Sequence, residues 1–187
     1  MGLPADKHGV LFTIPHSGTR SMVAMLTTVG VHLIQRHFMA HERDKYVMQV
    51  LNNLGGQVVP IVLVVRDPKA VWQSHWQRRT NPAPDPAPNP NDRLDERIHW
   101  WYSNQARWLR GHPDTIVFHI DRPNSLEVWK QLKDAFPKAA WNAPLFATHM
   151  DARPKVGKIE YRSPLEPVPE YMDEHCVTYG YDVPSRS

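Results

Sequence analysis

The chain reads as an α/β protein, a parallel β-sheet with helices on both faces, and three observations predict it. There are two apolar runs: Val10 to Ile14, which alternates as a buried strand would, and Val58 to Val65, with the near-continuous β-branched character of a strand buried on both faces. Each empties into a short turn and then into a helical pattern. Further along, strand and helix signals keep alternating, which favours right-handed crossovers between parallel strands. With 187 residues and 41% hydrophobic content, the chain can bury one core, and no internal repeat or second-domain boundary interrupts it.

In the first unit, Val10, Phe12 and Ile14 alternate with Leu11 and Thr13 as a strand, and Met22, Met25, Leu26 and Val29 recur at helical spacing until Gly30. The turn between them, His16-Ser17-Gly18-Thr19-Arg20-Ser21, has the makings of a phosphate cradle. Backbone N–H groups at a helix start have no intrahelical partner and lie at the positive end of the helix dipole. Ser17, Thr19 and Ser21 offer hydroxyl donors, Gly18 allows close backbone approach, and Arg20 adds charge. A Walker A loop is absent, since no G-x-x-x-x-G-K-[ST] occurs here. The bland alternative is an ordinary Ser/Thr-capped helix start.

Val31 to His37 reads as the next strand, and Glu42 to Leu54 as a helix with Tyr46, Val47 or Val50, and Leu54 on one face, stopped by Gly55-Gly56. The strand Val58 to Val65 ends at Arg66-Asp67-Pro68, and Pro68 suits the first turn of a helix whose Val71, Trp72, His75 and Trp76 share a face. Arg66 then projects at the carboxyl edge of the sheet, where open α/β folds bind ligands, with Ser74 two turns along the helix. Asn81 to Asn91 alternates proline with small or polar residues and reads as an extended insertion or lid. Asp92 caps a long helix through Leu109 that Gly111 terminates, with Leu94, Ile98, Trp101 and Trp108 as its apolar face. Thr115 to Ile120 is a further strand, and Asn124-x-x-Glu127 reads as a capping box for a helix with Leu126, Trp129 and Leu132 turned inward. After Pro137 the chain is proline-rich and irregular, with a short helix around Pro169 to Cys176.

Two motifs, in order and with the expected separation, resemble those of the sulfotransferases that use 3′-phosphoadenosine 5′-phosphosulfate (PAPS). Thr13 to Arg20 is similar to that family's 5′-phosphosulfate loop, and Arg66-Asp-Pro-Lys-Ala-Val-Trp-Gln-Ser74 to its 3′-phosphate motif, the more specific of the two. Ala152-Arg-Pro-Lys-Val-Gly-Lys158 resembles more weakly the loop that closes over the nucleotide near the family's C-terminus. The resemblance implies a three-layer fold like that of the P-loop NTPases. It also implies PAPS as co-substrate, held by His16, Ser17, Gly18, Thr19, Arg20, Ser21, Arg66 and Ser74, with Arg153, Lys155, Gly157 and Lys158 closing over it. No metal is required for that scheme. His16 stands where the family usually carries a lysine, and Met22 near its adenine-packing tryptophan. A neutral imidazole brings one donor and no charge, and neighbouring anions favour its protonated form.

For the general base that takes the acceptor's proton, His37 is the first choice, since in the resemblance this residue lies at or just after the end of such a strand. His41 and Glu42 are the alternatives. A histidine needs little pKa adjustment to accept a proton near neutrality. In the bland reading, His37 is one of 11 histidines on the surface or in a hydrogen-bonded core. His37 and His41 have the spacing of a helical metal pair, yet no glutamate lies between them in H-E-x-x-H fashion and no third ligand is evident, so no metal is expected. The resemblance implies a small molecule, glycan or peptide as acceptor.

The balance of 22 basic to 19 acidic residues, interspersed along the chain, disfavours nucleic acid as a partner. One cysteine, Cys176, excludes an intrachain disulfide and fits a reducing compartment. No apolar stretch approaches the ~18 residues of a membrane span, and no signal-peptide core opens the sequence, so a cytoplasmic protein without membrane partners is expected. The rival readings are a kinase of a nucleotide or small metabolite, with Ser21 or Asp67 helping to bind Mg²⁺, and a nucleotide-binding protein that has lost catalysis.

Overall fold

A computed structural model describes residues 7–14, 17–37, 59–80, 94–141 and 168–183. Four parallel strands form one sheet: β1 (Gly9–Thr13), β2 (Leu33–His37), β3 (Ile61–Val65) and β4 (Ile116–His119), in the spatial order β2-β1-β3-β4. Five helices accompany them among the described residues: α1 (Thr19–Thr28), α2 (Pro68–Thr80), α3 (Leu94–Gly111), α4 (Leu126–Ala135) and α5 (Met172–Thr178).

Successive strand residues point to opposite faces, and two apolar layers result. Val10, Phe12, Leu63 and Val65 face a core that includes Val71 and Trp72 of α2, Ile98, Trp101, Tyr102 and Trp108 of α3, and Met172 of α5. Leu11, Val62, Val64, Ile116 and Phe118 face the other layer, with Met22, Met25 and Leu26 of α1 and Leu132 of α4. β1 and β3 are buried along nearly their whole length, as their sequences require. The predicted three-layer α/β architecture is therefore present.

The chain passes from β1 to β2 on one side, then crosses back to place β3 on the other side of β1. That reversal puts α1 and α2 on opposite faces and makes the carboxyl ends of β1 and β3 the switch point of the sheet, the place where open parallel sheets bind ligands.

Several predicted details differ. The third strand starts at Ile61, after Pro60, which has no N–H to give a ladder. Helix α4 is capped by Ser125, whose hydroxyl accepts the Val128 N–H, instead of by Asn124. The Asn124 amide is occupied: its oxygen accepts the His119 N–H at 2.8 Å and its nitrogen donates to the His119 carbonyl at 2.7 Å. Leu126 is 88% exposed, because the inward stripe of α4 runs through Val128, Trp129, Leu132 and Ala135. The short C-terminal helix is present over Met172–Thr178, and Gly30, at φ 82°, follows the end of α1 as expected. The helix predicted for Glu42 to Leu54, the proline-rich stretch from Asn81 to Asn91 and the Asp92 cap lie outside the described residues.

Candidate functional site

The turn after β1 is built from its own side chains. Ser17, 1% exposed, donates its hydroxyl proton to the Ile14 carbonyl at 2.6 Å, and its N–H goes to the same oxygen at 3.1 Å. Thr19 donates its hydroxyl to Thr13 Oγ1 at 2.9 Å, tying the first residue of α1 to the last of β1. These two hydroxyls hold the turn in shape. Gly18 is the N-cap of α1, in the left-handed region at φ 90° and ψ 20°, and as a glycine it brings no side chain to cap the helix start. The N–H groups of Thr19, Arg20 and Ser21 are the ones an α-helix leaves without intrahelical partners, and the side chains of Arg20 and Ser21 are exposed beside them. Only glycine fits at 18 on two counts, since a Cβ there would lie 2.9 Å from Ile120 Cγ1. The end of β4 thus abuts the cradle.

Next to it, Arg66 follows the last residue of β3, and Asp67 caps α2. The Asp67 carboxylate accepts the Lys69 N–H at 2.9 Å, Pro68 occupies the first helical position, and the Asp67 carbonyl accepts the Val71 N–H. Arg66 and Ser74 are both half-buried. β1 and β3 are paired neighbours up to Thr13 and Val64, so both turns leave adjacent strands at the same sheet edge. The His37 backbone lies there too, paired with Thr13 in register at the end of β2. His16, His41, Glu42, Arg153, Lys155, Gly157 and Lys158 lie outside the described residues.

A polar network that the sequence reading missed supports the same edge. Asp121, just past β4, accepts the Asp67 N–H at 2.7 Å through Oδ2 and the Tyr181 hydroxyl at 2.6 Å through Oδ1. Burial and this carboxylate push the Tyr181 hydroxyl well above the ordinary tyrosine range, so it stays a donor. Its one proton goes to Asp121, so the contact with His119 Nδ1 at 3.1 Å has the imidazole donating. His119 Nε2 is then bare and accepts from Arg122 at 3.0 Å. Burial and the Arg122 guanidinium lower the His119 pKa to about 4, against a smaller opposing pull from Asp121. Arg122 also donates to the carbonyls of Tyr179, at 2.7 Å, and Gly180, and lies over the Tyr181 ring. One signal was legible: Val65-Arg66-Asp67-Pro68 and Ile120-Asp121-Arg122-Pro123 both end a strand in an Arg/Asp pair followed by proline.

Comparison of the chain with protein-family models, with curated proteins and with solved structures finds no match. The site is therefore read from its own chemistry. A helix start led by glycine and an arginine, at the carboxyl edge of adjacent strands, suit a ligand with two anionic groups.

Cys176 Sγ lies 3.8 Å from Asp67 Oδ1, and burial together with that carboxylate raises the thiol to about 11, which leaves it protonated and unreactive. Among the described residues, no group of three or more His, Cys, Asp or Glu side chains could hold a metal ion. No helix among them is long and apolar enough to cross a membrane. A cleft of about 660 Å³ opens at the opposite, amino edge of the sheet, between Pro60, His112, Asp114, Thr115 and Gln131. It lies away from both turns.

Proposed function

We propose that this protein is a sulfotransferase that takes a sulfuryl group from PAPS and passes it to a hydroxyl or amine of a small molecule, glycan or peptide. The observation that carries the reading is the adjacency of the two turns: the Gly18–Ser21 helix start and the Arg66–Pro68 turn leave neighbouring parallel strands across the point where the strand order reverses. One nucleotide with a 5′-phosphosulfate and a 3′-phosphate has anionic groups for both. The N–H groups of residues 19–21, which an α-helix leaves without intrahelical partners, fit the first, and Arg66 with Ser74 the second.

When bound, PAPS supplies the activated sulfuryl group and its leaving phosphate. The chain's part is mostly positioning and charge stabilisation, as in phosphoryl transfer. The α1 N-terminus, with Arg20 and His16, stabilises charge growing on the departing 5′-phosphate. Arg66 and Ser74 anchor the nucleotide, and Arg153, Lys155, Gly157 and Lys158 are the candidates for closing over it. His37, placed by its backbone at the same edge, is the candidate base, with His41 and Glu42 as alternatives. A kinase reading is disfavoured because the loop lacks the lysine that a Walker A motif requires.

A labelled-transfer screen from PAPS over alcohols, phenols, sugars and amines tests the proposal. Labelled product, with thermal stabilisation by 3′-phosphoadenosine 5′-phosphate, is the expected result. Stabilisation by Mg-ATP alone, with no transfer, would refute it.

A further inference from the structure

The peptide group joining Arg66 to Asp67 is held at both ends. Its N–H donates to Asp121 Oδ2 at 2.7 Å, and its carbonyl accepts the Tyr102 hydroxyl in a long contact of 3.5 Å. Fixing that plane fixes ψ of Arg66 and φ of Asp67, and with them the direction in which the Arg66 side chain leaves the backbone.

The hold on Asp121 comes from far along the chain. Tyr181 donates to its second oxygen, and Arg122, beside it, clasps the carbonyls of residues 179 and 180 while lying over the Tyr181 ring. Two further contacts bring α5 to the same turn: Lys69 pairs with Asp173 at 2.8 Å, and the Cys176 thiol lies on the Asp67 carboxylate. The end of β3, the end of β4 and residues 172–181 therefore meet on one peptide plane.

We infer that Asp121 and Tyr181 are positioning residues for Arg66: together they aim the guanidinium at the nucleotide's 3′-phosphate, so that recognition of this group depends on the C-terminal segment. The inference rests on the sulfotransferase reading of the site. Neither residue is assigned contact with the nucleotide. Both oxygens of Asp121 accept from donors of the chain itself, one from the Asp67 N–H and one from the Tyr181 hydroxyl, so the carboxylate is fixed in place beside the turn.

Tyr181→Phe removes only a hydroxyl and keeps the ring under Arg122. Its affinities for 3′-phosphoadenosine 5′-phosphate and for adenosine 5′-phosphosulfate, which lacks the 3′-phosphate, are measured by calorimetry beside those of the unaltered protein. The variant is expected to bind the bisphosphate about 5-fold more weakly, the size of one lost hydrogen bond, and to bind the phosphosulfate unchanged. Asp121→Ala is expected to lose more than 10-fold in the same selective way, with partial recovery in Asp121→Asn, whose amide oxygen still accepts the Asp67 N–H. A purely structural role would lower both affinities together, and equal weakening, or none, overturns the inference while the sulfotransferase reading stands. If the unaltered protein binds neither nucleotide, that reading falls and the positioning role falls with it.

Discussion

Substituting Gly18 by alanine probes how closely the cradle is built. At φ 90° an L-residue is strained by about 1–2 kcal/mol. The new Cβ would also press on a buried neighbour, 2.9 Å from Ile120 Cγ1 and 3.0 Å from its Cγ2. Ile120 is 5% exposed and sits in the packed layer with Leu11 and Met22, so it has little room to retreat; overpacking of this kind costs about 1–3 kcal/mol. The stiffer unfolded chain returns roughly 0.5–1 kcal/mol. A net destabilisation of about 2–3 kcal/mol follows, seen as a fall in Tm of roughly 4–12 °C for a chain of this size. Urea unfolding of Gly18→Ala, Ile120→Ala and the double variant separates the two causes. Removing the Ile120 γ-carbons relieves the crowding and leaves the backbone strain, so the double variant should be about 1 kcal/mol more stable than the sum of the singles predicts. Loss below about 0.5 kcal/mol in Gly18→Ala, or strict additivity, would refute the reasoning.

Arg66→Ala should weaken 3′-phosphoadenosine 5′-phosphate by about 1.5–3 kcal/mol, or roughly 10- to 150-fold, while sparing adenosine 5′-phosphosulfate; calorimetry showing equal losses would contradict its assigned role. His119 and His175 are both lowered from 6.5 to about 4, the first by burial and Arg122, the second by burial and His99. The unfolded chain takes up their protons as pH falls through about 6.5 and the folded chain does not until about 4, so their stabilisation is full above pH 6.5 and drains away between those values. After allowance for solvent screening the loss is about 1–2 kcal/mol for each, and urea midpoints from pH 7 to 4.5 should fall less steeply in His175→Gln than in the unaltered protein. Gln105, fully buried on α3, has no hydrogen-bond partner for either amide atom among the described residues. Gln105→Met fills nearly the same volume without the buried polar group and should raise stability by about 1–2 kcal/mol; a lower Tm would show that the amide has a partner.

The sheet was legible in the sequence because β1 and β3 are buried on both faces and so carry unbroken apolar runs. The two turns were legible because a strand that stops at Ser-Gly-Thr or Arg-Asp-Pro announces its own helix start. The finer chemistry was not. Asn124 and Ser125 are both good caps, and the choice between them was decided by the His119 backbone, which claims the Asn124 amide. Asp67 was read for its charge, while its position before Pro68 made it the cap of α2. The Asp121–Tyr181 bond joins residues 60 apart in sequence, and no local pattern signals such a meeting. It exists only once β3 and β4 lie side by side.

Backbone amide shifts by NMR during titration with 3′-phosphoadenosine 5′-phosphate test most directly whether the turns after β1 and β3 grip one nucleotide. The account predicts that the amides of residues 18–21, 66, 67 and 69 move together along one saturation curve, while those of residues 112 and 114–116 at the amino edge stay still. Movement confined to the amino edge, or separate curves for the two turns, would contradict it.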